Sequence, residues 1–288
     1  MIRLPFLMLA AVLSAPVCAQ VSTKIYAQEL VDQIVAKNPD LLVVVMHVTP
    51  PKADGNIIIA SNIGRIGKVG DEDDMRVINT GKPNLEVAHG GNRYEVELVM
   101  QDVVGETIGA LGLVWPYKAG QDKAPFEKKA LKIRDALARR VLNTANLMDA
   151  FPLVPLATTK TRGQKLVEQT VAEQPDITVL AIRAPSGPTK EIVVLGPTFG
   201  RHGKKADADD MKVIDSQSPD VGVFSGGKRF GAALPLRDAN GNTVGILSVG
   251  YAFRKGDDEK ALLARAEKIR DALQKRIPSA ESLDELDP

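Results

Sequence analysis

The sequence has few of the side chains that most often carry metal or nucleophilic chemistry. It contains one cysteine, Cys18, and three histidines among 288 residues. A single cysteine cannot close a disulfide within the chain, and it cannot supply a site with several thiolate ligands. The protein must therefore be stabilised by packed hydrophobic cores.

An excess of charge of one sign is also absent, since Lys and Arg number 37 and Asp and Glu number 36. Proteins that hold nucleic acids or anionic membranes by bulk electrostatics carry a clear positive excess. The near-neutral chain therefore predicts no nucleic-acid partner.

Only one apolar run stands out, and it lies at the start of the sequence. Arg3 is followed by an apolar run from Leu4 to Ala15, and the small residue Ala19 follows at a position that a signal peptidase reads. This pattern predicts a signal peptide over residues 1–19 and a periplasmic or secreted protein. The run is shorter than the roughly 20 apolar residues that span a bilayer, and no later segment approaches that length, so we expect no direct membrane insertion.

The strongest signal in the sequence is an internal repeat with a constant offset of 136 residues. Gly64-Arg65-Ile66-Gly67-Lys68 matches Gly200-Arg201-His202-Gly203-Lys204, and Lys132-Ile133-Arg134-Asp135-Ala136-Leu137 matches Lys268-Ile269-Arg270-Asp271-Ala272-Leu273. One register kept over such a distance indicates tandem domains. We therefore predict a first module over residues 20–143, an apolar linker over 144–158, a second module over 159–279 and an acidic tail over 280–288. We expect the linker to pack on a domain, and we interpret the tail as disordered.

Each copy shows the same succession of periodicities. A helical pattern ends at Pro39, β-branched runs then form a hairpin, and after a short helix at Asp73 a second hairpin turns at residues 102–105. A long closing helix has apolar residues three or four apart on one face. The predicted order is α-β-β-α-β-β-α, with one more short strand near residues 85–88.

This layout, with the hairpin signature Asp238-x-x-Gly241-x-x-Val244-Gly245, resembles an extracytoplasmic PAS-like sensor module of the Cache type. The resemblance covers both copies, although GAF and profilin-like domains share much of the layout. It implies an α+β fold of two tandem PAS/Cache-like modules, each with a central antiparallel sheet flanked by helices. It also implies a ligand cavity whose mouth lies near the loop after the second strand.

Six basic side chains are the candidate ligand-binding residues. Two glycines in the repeated Gly-Arg-x-Gly-Lys motif let the backbone approach a ligand, and the cations of the motif suit a carboxylate or phosphate. An arginine also follows the Gly-Gly pair of each copy and enters a strand. The candidates are Arg65, Lys68, Arg93, Arg201, Lys204 and Arg229. Pairing with the nearby Asp71 or Asp74 is the structural alternative for Arg65 and Lys68.

The acidic cluster that precedes the short helix of each copy fits helix capping better than cation binding. Asp71 and Asp207 stand where an N-cap belongs, and no EF-hand spacing is present. Asp102 and Asp238 sit in hairpin turns, where an aspartate bonds the backbone two residues on. We therefore predict no metal site and no cofactor.

The histidines do not form a catalytic set. His47, His89 and His202 stand at unrelated positions of the repeat, which favours surface or packing roles. We therefore predict a secreted or periplasmic, non-catalytic sensor or binding protein for a small anionic metabolite, which presents its bound state to a membrane-bound partner protein. The alternative is a protein-interaction module that docks on a membrane complex without binding a small molecule.

Overall fold

A computed structural model describes residues 24–155 and 157–287. The predicted signal peptide, residues 1–19, lies outside this part of the chain. The described residues form two α+β modules, each with a five-stranded antiparallel sheet flanked by helices, and this confirms the predicted fold class. None of the helices in this part of the chain is both long and apolar enough to cross a bilayer.

The first module contains four helices and five strands. In chain order they are α1 (Tyr26–Lys37), β1 (Val43–Val48), β2 (Ile57–Ser61), α2 (Glu72–Thr80), β3 (Asn84–Ala88), β4 (Arg93–Gln101), β5 (Thr107–Pro116), α3 (Ala124–Ala138) and α4 (Thr144–Leu147). A single 3-10 turn, His89–Gly91, separates β3 from β4. The short strand expected near residues 85–88 is β3.

The second module repeats this order. Its elements are α5 (Arg162–Glu173), β6 (Ile177–Ser186), β7 (Glu191–Pro197), α6 (Ala208–Ser216), β8 (Asp220–Phe224), β9 (Arg229–Arg237), β10 (Thr243–Ala252), α7 (Glu259–Gln274) and α8 (Ala280–Asp284). The strand order is β2-β1-β5-β4-β3 in the first sheet and β7-β6-β10-β9-β8 in the second. Both sheets are consistent with tandem PAS-like modules.

Each sheet has one face against helices and one face that is more open. Successive side chains of a strand point to opposite faces, so alternate residues of β1 belong to different layers. Val44, Met46 and Val48 join the buried core that also holds residues of α1 and α3, including Leu30 and Leu137. The other residues of β1 face the opposite side, where α2 and the loops around it lie.

A short closing turn completes each module. In the first, Leu147 of α4 is buried in the core and Ala150 forms a β-bridge with Ile25. In the second, Leu283 of α8 is buried in the equivalent way and Leu286 bridges to Thr161. The interpretation of residues 280–288 as disordered is therefore wrong for 280–287, because Leu283 packs into the core.

The segment after α4 lies where the two modules meet. Phe151 packs against Tyr26 of the first module, with ring centroids 5.7 Å apart, and against His202 of the second, at 6.4 Å. The apolar character of this segment thus reflects packing against both modules.

Candidate functional site

A cavity of about 270 Å³ lies on the open face of the first sheet. Strands β1, β4 and β5 form its floor, and the loop over residues 62–71 and the start of α2 form its walls. Nine charged or titratable side chains line it: His47, Arg65, Lys68, Asp71, Asp74, His89, Arg93, Glu95 and Glu97.

The alternation of the strands explains why polar groups converge on this face. Val45 and His47 of β1 point to it, as do Glu95 and Glu97 of β4, while the residues between them point to the core. Gly112 of β5 pairs with both Val45 and Glu97, so a residue without a side chain lies in the middle of the floor. This glycine leaves space above the sheet.

The start of α2 places a carboxylate in the cavity. Asp71 and Asp74 form a capping box, which confirms the predicted N-cap role: Asp71 Oδ1 accepts from Asp74 N at 3.3 Å, and Asp74 Oδ2 accepts from Asp71 N at 2.7 Å. The same Asp74 oxygen lies 3.2 Å from His47 Nδ1. Asp74 therefore joins helix capping to the polar floor of the cavity.

Glu97 is the most perturbed acid of the cavity. Burial, together with the neighbouring carboxylates of Asp74 and Glu95, raises the pKa of Glu97 to about 9. Its Oε1 atom is buried and has no hydrogen-bond partner among the described residues. At neutral pH Glu97 is therefore a protonated acid that can donate a hydrogen bond inside the cavity.

Burial also acts on the two titratable neighbours. It lowers the pKa of His47, although the charges of Asp74 and Asp71 oppose this, and it raises the pKa of Glu95, as do the charges of Glu86 and Asp74. The floor thus favours a neutral imidazole and a carboxyl group that resists ionisation.

The predicted cations of the first module lie together around this floor. Arg65 occupies the loop in the left-handed region, with φ of 66°, and Arg93 stands at the start of β4. Lys68 Nζ lies 3.7 Å from Asp71 Oδ2, an exposed pair of the kind that contributes little to stability. The cavity therefore combines a basic rim with an acidic floor.

The second module has a different arrangement at the equivalent positions. Arg183 replaces His47, and its guanidinium lies 3.0 Å from Asp210 Oδ2 and donates to Ser248 Oγ at 2.7 Å. Gly231 and Ala233 replace Glu95 and Glu97. The second module thus lacks both glutamates of the floor, and its Asp210 is paired with an arginine.

The three predicted cations of the second module are directed to separate places. Arg201 Nε lies 2.7 Å from Asp149 Oδ2 of the first module. Arg229 stacks over the Phe224 ring, with its guanidinium carbon 5.8 Å from the centroid, and Lys204 is exposed on its loop. Ligand binding by these three residues stays a prediction.

Sequence reasoning missed the acidic half of the site. Glu95 and Glu97 alternate with Tyr94, Val96 and Leu98, all of which are buried. Two glutamates on one face of a strand ordinarily indicate a solvated face, and the repeat comparison with Gly231 and Ala233 was the available signal that this face differs between the modules. The turn roles of Asp102 and Asp238 are confirmed, since each accepts from the backbone N–H two residues on at 2.9 Å.

No protein-family model matches the chain, and no curated protein matches it. Among solved structures, it is similar to the DhaR(N)–DhaL complex of E. coli, with 11% identity, coverage of 80% of this chain and 84% of that chain, and a TM-score of 0.29. It is also similar to PelD of Pseudomonas aeruginosa, with 12% identity, coverage of 88% and 78%, and a TM-score of 0.30. An RNA-binding light-oxygen-voltage receptor has 10% identity, coverage of 70% and 84%, and a TM-score of 0.19. Scores this low carry no argument about fold or function.

Proposed function

We propose that the protein is a non-catalytic sensor or binding protein for a small metabolite, and that the ligand binds in the cavity of the first module. The observation that carries this proposal is the convergence of Arg65, Lys68 and Arg93 on one cavity that also holds the buried acid Glu97. A concave site with a few convergent polar groups and perturbed pKa values is typical of a ligand site.

The charges of the cavity favour a ligand with two kinds of polar group. The basic rim suits a carboxylate or phosphate, and Arg65 and Arg93 offer forked donors for it. The protonated Glu97 and the imidazole of His47 suit a second polar group that enters the floor. A volume of about 270 Å³ lies just below the range of drug-sized pockets, so the ligand belongs among small metabolites.

A thermal-shift screen tests this proposal. The purified protein is heated with amino acids, other carboxylic acids and phosphorylated metabolites, and a ligand at 100 times its Kd adds about 2.7 kcal/mol of stability. Arg93→Ala is expected to abolish the shift. Arg229→Ala, at the equivalent position of the second module, is the matched control and is expected to keep it. A shift that survives Arg93→Ala, or no shift with any compound, would contradict a ligand site in this cavity.

Two further parts of the proposal have their own tests. We propose that the protein acts outside the cytoplasm, which N-terminal sequencing of the exported protein checks by locating the cleavage after residue 19. We also propose that the protein releases its ligand chemically unchanged. Mass spectrometry of the ligand before and after incubation with the protein checks this. Conversion of the ligand would instead assign an enzyme.

A protein-docking role on a membrane complex is the second candidate function. Exposed apolar side chains on the loop beside the cavity favour it, because Ile66 is 58% exposed and Val69 is 66% exposed. The two candidates differ in the screen described above, since a docking module without a small-molecule ligand gives no thermal shift with any metabolite.

A further inference from the structure

The contact between the two modules joins two definite surfaces. One is the closing turn of the first module, residues 144–151 with Tyr26 beside it, and the other is the basic loop of the second module, residues 198–205. Asp149 pairs with Arg201 at 2.7 Å, and Asn146 Nδ2 donates to the carbonyl of Phe199 at 3.1 Å. The contact therefore includes an ion pair and a buried side-chain hydrogen bond.

The Tyr26 ring packs against Gly200 of the basic loop. A Cβ atom added at Gly200 would overlap the Tyr26 ring, so only glycine fits there. His202 is 5% exposed, and its Nε2 lies 3.0 Å from Gln164 Oε1. The second basic loop is thus covered by the first module.

A second pair of surfaces extends the same contact. Lys228 forms an ion pair with Glu106 in the β4–β5 turn of the first module. Arg229 lies near Asp102 in the same turn, close enough for each charge to shift the pKa of the other. The strand β9 therefore begins against the turn of the first module.

Because the protein is a repeat, each of these surfaces has a second copy, and those copies do not meet within the chain. The basic loop of the first module, residues 62–69, is exposed throughout, including Ile66. The closing turn of the second module, residues 280–287, exposes Glu285 and leaves Leu286 70% exposed. One end of the molecule thus presents a free loop, and the other presents a free closing turn.

The two free surfaces keep two of the three charge pairs that join the modules. Under the offset of 136, Arg65 and Glu285 correspond to Arg201 and Asp149. Arg93 and Asp238 correspond to the arginine and aspartate of the second contact, Arg229 and Asp102. These two charge pairs keep their signs, whereas Asn92 and Asn242 stand at the positions of Lys228 and Glu106, so the third pair is not kept.

At the repeat position of Tyr26, whose ring is planar, the second module also has a side chain with a planar group. Arg162 stands where the first module has Tyr26, and each side chain donates a hydrogen bond to a carbonyl at the same position of the repeat. Tyr26 Oη donates to the carbonyl of Arg140 at 3.2 Å, and Arg162 Nη2 donates to the carbonyl of Arg276 at 3.2 Å. Gly64, the counterpart of Gly200, has nothing within 4 Å of an added Cβ. The flat guanidinium of Arg162 thus has an open glycine to pack on in another molecule.

We propose that the protein associates with a second copy of itself head to tail, with the closing turn of the second module of one molecule seated on the basic loop of the first module of the next. The contact is heterologous, because two different surfaces meet, so it builds rings or open chains rather than a closed two-fold dimer. It repeats between molecules the contact that joins the modules within one molecule.

Two single variants, each of which disables one surface, test this proposal. Gly64→Asn blocks the loop, since asparagine tolerates the left-handed φ of 78° and its side chain takes the space for Arg162. Glu285→Arg reverses the charge that faces Arg65 and leaves the loop intact. Glu173→Arg, an exposed change outside both surfaces, is the control. Circular dichroism confirms that each variant is folded.

The mass of each protein is measured by light scattering after size exclusion chromatography, at protein concentrations from about 1 μM to about 1 mM. This range detects association with a Kd of up to about 1 mM, which is a free energy of association of about 4 kcal/mol. We expect the wild type and the control to grow in mass with concentration and each surface variant to stay monomeric. An equal mixture of the two surface variants retains one intact loop and one intact closing turn, so it is expected to form dimers and nothing larger.

Three results would overturn the proposal. The first is a wild type that stays monomeric over the whole range, and the second is association that neither variant weakens. The third is a mixture that stays monomeric, which would indicate a two-fold contact instead. Ligand binding is measured on Glu285→Arg, whose altered residue lies in the second module and outside the cavity lining, so failure of self-association and failure of the proposed function are separate outcomes.

Discussion

Replacement of Glu97 by glutamine is expected to flatten the pH dependence of the stability of the first module. Glu97 is 3% exposed, and burial beside Asp74 raises its pKa to about 9 from an ordinary value of 4.5. Between these two values the folded state keeps a proton that the unfolded state has released. The free energy of unfolding of the wild type therefore falls as the pH rises from about 5 to about 8.

The size of the effect follows from the number of protons involved. One proton taken up on folding gives a slope of about 1.4 kcal/mol per pH unit, so the wild type loses about 2 to 3 kcal/mol between pH 5 and pH 7 through Glu97 alone. Glutamine has nearly the same shape and does not ionise. The test compares how steeply the free energy of unfolding of each protein changes with pH. The buried amide of the variant lowers its stability by the same amount at every pH, so it does not change that slope.

The chain contains a probe for this measurement. Trp115 is the only tryptophan, and it is 1% exposed in the core of the first module. Its fluorescence during urea unfolding at pH 5, 6, 7 and 8 reports the unfolding of that module. Asp54→Asn, an exposed change in the loop between β1 and β2, is the control and should keep the wild-type slope. Parallel slopes for the wild type and Glu97→Gln would refute the protonated state assigned to Glu97.

Two further predictions concern the contact between the modules. Gly200→Ala is expected to cost about 1 to 3 kcal/mol more than Gly64→Ala in thermal unfolding at low protein concentration. The two glycines have similar φ angles, 76° and 78°, but only a Cβ atom at Gly200 would overlap the Tyr26 ring. Equal losses would contradict this packing. Burial lowers the pKa of His202 to about 4 from 6.5, so the stability that its neutral form contributes is fully present above pH 6.5 and is lost as the pH falls towards 4. His202→Gln is expected to reduce this loss in acid unfolding curves, and a variant as sensitive as the wild type would contradict it.

Local chemistry made much of the fold predictable. The constant offset of the repeat showed which residues of the two modules correspond. The β-branched runs and the turn residues between them predicted the two hairpins of each module. Asp71 and Asp102 could be assigned as a helix cap and a turn residue because their hydrogen bonds join neighbours in the chain. The acidic tail was misjudged because Leu283 packs into the core and Asp284 accepts hydrogen bonds from Ser186 and Gly187, and such long-range contacts have no local signature.

The site was predictable only on its basic side. The glycine-rich motif marked Arg65 and Lys68, but the buried acids of the cavity depend on which strands become neighbours. The pKa of Glu97 is raised because β4 packs beneath α2, which buries Glu97 and brings the Asp74 carboxylate close to it. Burial and charge proximity are properties of the packed sheet, and the sequence spacing of these residues does not reveal them.

The sequence by itself determined that there are two modules, what elements each contains and which residues cap and turn them, because those features depend on interactions between near neighbours. Only the tertiary structure decided that the same motif has different surroundings in the two modules. The same motif arginine lines an open cavity as Arg65 and pairs with Asp149 as Arg201. The physical reason is that the first module covers the second basic loop, whereas nothing in the described part of the chain covers the first.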